Sequence, residues 1–445
     1  MVGVRGRTRD EPVRASTIRR LTRRIVPVLM LGYLVSYLDR INISFAKFGL
    51  EESFGMSAAE YGFAAGIFFV GYVLAEVPSN IIMARVGARV WLTRIMVTWG
   101  IIAALTAVVP NVELLYVMRF VLGVAEAGFF PGILVYLTHW YPNADRTKVV
   151  STVMVSIPLA GVVGGPLNGW IVSAFDGVGG LDGWRWLFIL GGVPAVLLGI
   201  LFYTTVTERP AEAKWLSAEQ REWLVSTLAE EERERAVTAP AGHRATLGNK
   251  KVLALTAVYF LLQCGAYPLT YWMPSVMKDI GTALTSVEIG WLSAVPSLMA
   301  AVCMYLAGRM VRGDRSSKPV MIALGISVVT FALTAVSLGT PALAFLVITI
   351  ATMAAQTAKP LFWTLPTAFL AGAGAASGIA LINSLGNAAG FISPFAVGWI
   401  QDASGGNDGL SMTVMILANL LAMAVIGALW RTGRRRRAAE PGPAG

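Results

Sequence analysis

The sequence contains little charge for its length. Charged residues make up 14% of its 445 residues, whereas an average soluble domain has about 25%. Hydrophobic residues account for 56% of the chain, and the mean hydropathy is +0.64. A soluble protein of this size needs more charge to cover its surface. The composition therefore argues against a soluble enzyme, a disordered chain and a coiled coil.

Cysteine and histidine are also scarce. Cys264 and Cys303 lie in apolar runs without the spacing of metal ligands, and His139 and His243 are far apart in sequence. These residues support neither a disulfide framework nor a zinc site. A membrane-embedded enzyme would need a nucleophile–base pair or a metal set, and we identify neither. We therefore predict no metal, no cofactor and no enzymatic activity.

Long apolar runs are abundant instead. A membrane helix needs about 20 mostly apolar residues, and the chain offers twelve such segments. They are approximately 25–48, 61–84, 91–110, 113–138, 148–172, 186–206, 251–274, 288–309, 319–338, 341–361, 376–400 and 410–430.

The basic residues are distributed unevenly between the loops. If the N-terminal tail is inside, thirty of the 36 Lys and Arg residues lie inside, and the outside loops hold only Lys47, Arg185 and Lys278. This asymmetry predicts an even number of spans with both termini cytoplasmic. The basic charge then serves orientation and contact with anionic lipid, and we predict no nucleic-acid partner.

A charged segment divides the apolar chain. Residues 207–250 hold eight acidic and seven basic residues and separate an N-terminal half, 25–206, from a C-terminal half, 251–430. Basic cytoplasmic tails, 1–24 and 431–445, flank the halves. We interpret 207–250 as a cytoplasmic linker.

The linker carries a helix signal. Ser217 followed by Gln220 is typical of a capping box. Trp215, Leu216 and Leu224 would then place the apolar side of this helix on the membrane surface.

The two halves share residues at one offset of 229 positions. The matches are Gly161, Gly169, Trp170 and Ile171 in span five with Gly390, Gly398, Trp399 and Ile400 in span eleven, and Pro131 in span four with Pro360 in span ten. Two six-span halves related about the membrane normal are the arrangement of major facilitator transporters, whose solute site lies between the halves. We predict this fold, an all-α membrane protein of twelve transmembrane helices in two six-helix halves.

Six charged residues fall inside the predicted spans. They are Asp39, Arg40, Glu76, Arg119, Glu126 and Lys359. Charges in hydrocarbon are costly, so they usually face the bundle interior and pair with one another. Glu76, near the inner end of span two, is as consistent with a structural role as with a functional one.

Arg119 and Glu126 lie seven residues apart, about 10 Å along one helix. They cannot form a tight pair, and span one offers Asp39 and Arg40 as partners. Burial disfavours the charged form of a carboxylate, whereas a neighbouring arginine favours it. A carboxylate whose arginine is drawn away by a solute anion would gain and lose a proton during transport.

The chain resembles the anion:cation symporter family of the major facilitator superfamily, which includes phthalate, tartrate, hexuronate and hydroxyphenylacetate permeases. The segments that carry the resemblance are Tyr37-Leu-Asp39-Arg40-Ile-Asn42, Phe68-Phe-Val-Gly71-Tyr72, Glu76-Val-Pro78-Ser-Asn80, Arg119-Phe-Val-Leu-Gly123-Val-Ala-Glu126-Ala-Gly128-Phe-Phe-Pro131-Gly132, Arg209-Pro-x-x-Ala213-Lys214-Trp215-Leu216, Phe362-Trp363-x-Leu-Pro366 and Ile382-Asn383-Ser384-Leu-Gly386-Asn387. They cover nearly the whole chain.

The resemblance implies a monomeric secondary transporter that imports an organic anion with protons across the bacterial inner membrane. It implies that Asp39 and Glu126 bind the protons and that Arg40 and Arg119 bind the anion or couple it to the protons. The implied pocket residues are Tyr37, Tyr72, Trp363 and Asn383. An uncoupled facilitator or exchanger, or a transporter-derived sensor, is the alternative function.

The gating loop of the superfamily has a counterpart in each half. Arg85, Gly87 and Arg89 resemble it in the N-terminal half, but Ala84 stands where an acid is common. Asp314 and Arg315 keep the pattern in the C-terminal half.

The sequence pattern also predicts roles for Asn387 and Lys359. Asn387, one turn after Asn383, binds solute or forms a hydrogen bond between helices. Lys359 in span ten lies opposite the arginines of the other half, so a dicarboxylate could meet a cation at each end. The alternative is that Lys359 extends to the membrane surface from a span that ends near Leu361.

Overall fold

The computed structural model describes residues 4–238, 249–281, 284–310, 317–337, 339–369 and 373–439. Within these ranges the chain is helical and contains no β-strand. The α-helices are α1 (Val4–Phe54), α2 (Ala58–Val86), α3 (Ala88–Leu105), α4 (Val112–Glu126), α5 (Phe129–Trp140), α6 (Asn143–Met154), α7 (Ser156–Ala174), α8 (Gly183–Thr205), α9 (Ala218–Thr238), α10 (Lys250–Ile280), α11 (Ser286–Met310), α12 (Lys318–Ser337), α13 (Pro341–Phe369), α14 (Ala373–Asn387), α15 (Ala389–Ala403) and α16 (Asp408–Ala439).

Eleven helical segments among the described residues are long and apolar enough to cross a membrane. The remaining predicted span, 376–400, is divided between α14 and α15, which have 15 residues each. The order of apolar segments therefore follows the prediction. The first helix is much longer than predicted, because α1 continues from span one back to Val4.

Three predicted spans are interrupted rather than continuous. The breaks fall between α4 and α5, between α6 and α7, and between α14 and α15. At the first break Gly128 has φ +86°, a left-handed conformation that glycine adopts at little cost. Pro131 has no N–H to donate to the carbonyl of Ala127, four residues earlier. That carbonyl instead accepts a hydrogen bond of 2.7 Å from Ser79 on α2.

Glycines bring the two halves together along two seams. On α7, a Cβ added at Gly165 would collide with the carbonyl oxygen of Gly290 on α11. On α15, a Cβ at Gly398 would collide with the carbonyl oxygen of Ala58 on α2. Small residues permit such close helix approach in membranes. Gly169, whose added Cβ would collide with the carbonyl oxygen of Ser286, and Gly398, 229 residues later, thus each lie on one seam between the halves.

A buried lysine joins the halves at the end of the bundle away from the termini. We predicted Lys47 in an outside loop, but it lies inside α1 and is only 5% exposed. Its Nζ is 3.0 Å from Ser275 Oγ on α10 and 3.4 Å from Glu51, and it lies 4.3 Å from the ring centroid of Trp272. The prediction failed because α1 continues to Phe54, six residues beyond the predicted end of span one at residue 48, so that no loop begins near Lys47. Lys47 therefore connects α1 with α10 at this end of the bundle.

The linker helix packs on the protein. The capping box is confirmed: Gln220 N–H donates to Ser217 Oγ at 3.2 Å, and Ser217 N–H donates to the Gln220 side chain at 3.3 Å. The predicted membrane-surface position is wrong for its apolar residues. Trp215 stacks on Trp140 with ring centroids 5.5 Å apart, and Leu224 is fully buried. The ends of α1 and α5 offer an apolar surface that sequence periodicity does not reveal.

The topology and the boundaries 25–206, 207–250 and 251–430 stay predictions. We expect reporter fusions near residue 225 and at the C-terminus to report cytoplasm, because the basic loops predict it. A fusion at Gly177, between α7 and α8, is the matched control and should report the opposite side. A linker fusion on the same side as Gly177 would contradict the assigned orientation.

Candidate functional site

The centre of the N-terminal half contains a buried ion pair. Glu126, the last residue of α4, is fully buried. Arg40 on α1 donates to its Oε1 from Nε at 2.8 Å and from Nη2 at 2.6 Å. Ser36, one turn earlier on α1, donates to the same oxygen at 2.7 Å. Charge-assisted bonds of this length are among the stronger hydrogen bonds in proteins. The carboxylate that sequence reasoning assigned to proton binding thus lies directly against an arginine.

Aromatic rings surround the arginine of this pair. The guanidinium carbon of Arg40 lies 5.1 Å from the ring centroid of Tyr37, 5.3 Å from that of Phe68 and 5.0 Å from that of Tyr72. Cations within about 6 Å of a ring centroid are attracted by the ring quadrupole. Two predicted pocket residues, Tyr37 and Tyr72, therefore contact the predicted anion-binding cation. The Arg40 side chain is 13% exposed, so an anion could still reach it.

Asp39 is buried without a hydrogen-bond partner among the described residues. Both of its carboxyl oxygens are buried, and neither accepts a hydrogen bond from a described residue. Its Oδ1 faces Gly191 on α8, where an added Cβ would lie 3.6 Å away. Burying a charge without a partner is costly. Proton binding would remove that charge, so the environment of Asp39 suits a group that changes its protonation state.

Arg119, the second predicted anion-binding arginine, forms no ion pair with the described residues. Arg119 on α4 is fully buried, and its Nε donates to the carbonyl oxygen of Ala64 at 3.3 Å. Its guanidinium lies 5.2 Å from the Phe68 ring centroid. Neither of its Nη atoms has a hydrogen-bond partner among the described residues, so Arg119 is not bonded to Asp39 or Glu126. Arg119 is a buried cation with spare donors.

The C-terminal half contributes a lysine and an amide beside one tyrosine. Lys359 Nζ on α13 lies 5.6 Å from the ring centroid of Tyr267 on α10. The Tyr267 hydroxyl donates to Asn387 Oδ1 on α14 at 3.0 Å. Trp363, one turn after Lys359, packs against Tyr259 with ring centroids 5.0 Å apart. Three predicted site residues of this half therefore lie against tyrosines of α10.

Sequence reasoning missed those tyrosines. Tyr259, Tyr267 and Tyr271 are separated by eight and four residues, which places them on one side of α10. Tyr267 also packs on Phe69 of α2 with ring centroids 4.7 Å apart, so this side of α10 reaches the other half. The spacing of the tyrosines was the available signal.

Sequence reasoning also left the role of Glu76 open. This residue is 5% exposed, and its Oε2 accepts a hydrogen bond of 3.0 Å from Ser384 Oγ on α14. It therefore links the two halves. No pattern in the sequence pairs residues that are 308 positions apart.

The predicted N-terminal gating loop contacts an acidic residue from another segment of the chain. Glu208, just after α8, accepts hydrogen bonds from the N–H groups of Ala88 at 2.9 Å and Arg89 at 2.8 Å. These N–H groups open α3, where a negative charge is favourable. The Arg89 side chain donates to the carbonyl oxygen of Tyr203. Arg85 lies in the last turn of α2, before Gly87.

Gly87 has φ +95° and makes the tight turn between α2 and α3. Glu208 thus supplies a charge near the position where Ala84 lacks one. The other predicted gating residues, Asp314 and Arg315, lie outside the described residues.

Comparisons with known proteins agree with this architecture. Residues 29–394 match the family model described as Major Facilitator Superfamily. A putative tartrate transporter of Agrobacterium vitis is 41% identical over 414 residues, with 93% of this chain and 90% of the relative covered. A putative metabolite transport protein, NicT, of Pseudomonas putida is 40% identical over 387 residues, covering 87% and 88%.

Solved structures show the same fold. A partially occluded inward-open conformation of the xylose transporter XylE from E. coli superposes with a TM-score of 0.72. It covers 91% of this chain and 96% of XylE at 18% identity. The predicted fold of twelve helices in two halves is confirmed.

The family also decides the general class of activity. The match extends over most of the chain, and the relatives at 40–41% identity bear the names of transporters. The prediction that the chain is not an enzyme is confirmed by this membership. The chain is a multi-pass membrane transporter that belongs to the major facilitator superfamily.

Proposed function

We propose that this protein is a proton-coupled symporter that imports an organic anion with one or more carboxylates by alternating access. The observation that supports this most is the buried bond between Arg40 and Glu126. The names of its relatives, which include a putative tartrate transporter, support a carboxylate solute. We place the protein in the bacterial inner membrane, with both termini in the cytoplasm.

The Arg40–Glu126 bond provides a route for coupling. A solute carboxylate that binds Arg40 competes with Glu126 for the same guanidinium. Glu126 then loses its cation and stays buried beside Ser36, where a lone negative charge is costly. Taking up a proton relieves that cost. Release of the solute restores the ion pair and expels the proton, so solute and proton move together.

Asp39 supports the proposal from the neighbouring position on α1. Its carboxyl group has no hydrogen-bond partner among the described residues, and Arg40 follows it directly in the chain. An anion bound at Arg40 opposes the charge of Asp39, and protonation relieves this repulsion. We assign Asp39 and Glu126 as the proton-binding groups and Arg40 and Arg119 as the cations that respond to the anion.

Uptake into vesicles tests the proposal. The purified protein is reconstituted into liposomes, and uptake of radiolabelled tartrate is followed with and without an inside-alkaline pH gradient. We expect accumulation above the outside concentration only with the gradient. Equilibration that ignores the gradient would indicate a facilitator, and uptake that requires tartrate inside would indicate an exchanger. Either result would contradict proton symport.

A further inference from the structure

Glu76 forms a connection between the halves that the coupling scheme does not use. Its carboxylate, on α2, accepts the hydroxyl hydrogen of Ser384 on α14 at 3.0 Å. The carbonyl oxygen of Glu76 also accepts from Asn80 Nδ2 at 2.8 Å. Glu76 lies one turn from Tyr72, whose ring contacts Arg40.

Ser384, the hydrogen-bond partner of Glu76, lies on a short helix. Helix α14 has 15 residues and ends at a break before α15. It packs on α10, α2 and α15. Its side-chain hydrogen bonds to other helices, among the described residues, are Ser384 with Glu76 and Asn387 with Tyr267. Two side-chain hydrogen bonds thus supplement the packing of α14 against α10 and α2.

The Ser384 contact lies directly beside Asn383, and the other contact is made by Asn387, the second predicted solute-binding residue of α14. Ser384 follows Asn383 directly, and Asn387 comes one turn after Asn383. A one-turn spacing places the two asparagines on one side of the helix. A change in the Ser384 contact would rotate or shift that side relative to Lys359.

The charge of Glu76 needs an explanation beyond packing. A glutamine would also accept the Ser384 hydrogen bond and would avoid the cost of a buried charge in a membrane. A carboxylate, however, makes a stronger hydrogen bond than a neutral acceptor. The residue at this position is therefore suited to hold α14 more firmly than a neutral side chain would.

We propose that Glu76 is a positioning residue of the solute site: through Ser384 it fixes α14 so that Asn383 faces the solute, while Asn387 bonds to Tyr267. This inference rests on the proposed organic-anion transport for its transport readout, but its structural part does not. Glu76 contacts no solute in this scheme. Its removal lowers apparent affinity while leaving the chemistry of Arg40 and Glu126 in place.

The test uses single, double and conservative variants. Tartrate exchange is measured in liposomes for Glu76→Ala, Ser384→Ala, the double variant and Glu76→Gln. We expect each alanine variant to raise the half-saturating concentration about tenfold, because a hydrogen bond to a charged group is lost. The maximal exchange rate should stay within about twofold, and the double variant should resemble either single variant because both remove one contact. Glu76→Gln should fall between the wild type and Glu76→Ala, because the amide still accepts the Ser384 hydrogen bond but holds it less strongly than the carboxylate does.

Ser393→Ala is the matched control. Ser393 lies on α15 in the same span, is buried, and donates to the Ala389 carbonyl of its own helix at 2.8 Å. Its removal should leave the half-saturating concentration unchanged. Unchanged affinity in Ser384→Ala, or additive losses in the double variant, would overturn the proposal.

Hydrogen exchange separates this inference from the proposed function. Backbone exchange of residues 378–387 is measured in the reconstituted protein without solute. We expect faster exchange in Ser384→Ala and Glu76→Ala than in the wild type and in Ser393→Ala. If the wild type exchanges no tartrate but α14 loosens as expected, the proposed solute is wrong and the positioning role stands. If α14 exchange is unaltered in both variants, the positioning role is wrong. Should Glu76→Ala fail to fold, Ser384→Ala decides alone.

Discussion

Replacing Glu126 with glutamine should abolish uphill accumulation of the solute and spare its exchange. The amide still accepts hydrogen bonds from Arg40 and Ser36, whose donors lie 2.6–2.8 Å from Oε1. It cannot gain or lose a proton at neutral pH, so the solute moves without one. Accumulation driven by a pH gradient should therefore fall to the equilibrium level. Exchange requires no net proton movement and should continue.

Asp39→Asn should have the same effect for a different local reason. The Asp39 carboxyl group makes no hydrogen bond to the described residues, so its amide leaves the packing against α8 intact. Only the proton-binding capacity is lost. The double variant, Asp39→Asn with Glu126→Gln, is the strictest case and should show no gradient-driven accumulation at all.

An exposed acid on the same helix is the control. Glu113 lies in the first turn of α4 and is exposed, so Glu113→Gln should accumulate solute as the wild type does. Both measurements use liposomes. Gradient-driven uptake is followed with radiolabelled tartrate, and exchange is followed by counterflow. Uphill uptake that persists in the double amide variant would show that other groups carry the proton. Loss of exchange as well would assign these carboxylates to solute binding rather than to coupling.

The sequence predicted the spans because the bilayer imposes one dominant requirement on them. A membrane helix must be apolar over about 20 residues, and this property is visible in any window of the chain. The interruptions were less visible, since they depend on single residues. At Gly128 and Pro131 the signal was present, but Pro360 in the corresponding span lies within the continuous helix α13. Local sequence alone does not separate these two outcomes.

The residues of the candidate site that are charged and lie in apolar spans could be predicted from the sequence. Contacts between residues far apart in the sequence could not. Arg40 and Glu126 are conspicuous because charges in apolar spans are rare. The contact of Glu76 with Ser384 joins residues that only the packing of α2 against α14 brings together. Lys47 illustrates the opposite error. Its position near a span end suggested a loop, but its burial against α10 follows from the contact between the halves.

Lys359 lies further from the end of its helix than the sequence indicated. The alternative reading placed it at the end of a span near Leu361, from where it could reach the surface. Helix α13 instead continues to Phe369, and the apolar span extends to Pro366. Lys359 is thus seven residues, or about 10 Å along the helix, before the end of the apolar span at Pro366. Its Nζ points to the ring of Tyr267 inside the bundle, and it forms no ion pair with the described residues.

Lys359→Gln should therefore weaken binding of a dicarboxylate by about tenfold or more, because a charge-assisted hydrogen bond of about 1.5–3 kcal/mol is lost. A solute that bridges the halves would place one carboxylate at Arg40 and the other at Lys359. A monocarboxylate analogue engages only one of these cations and should lose less affinity. Binding is measured by titration calorimetry of the purified protein with tartrate and with a monocarboxylate of similar size.

Lys278→Gln is the control, because Lys278 lies over the ring of Phe48 at the far end of α10. Equal losses for both solutes, or no loss for either, would exclude Lys359 as the second anion-binding cation.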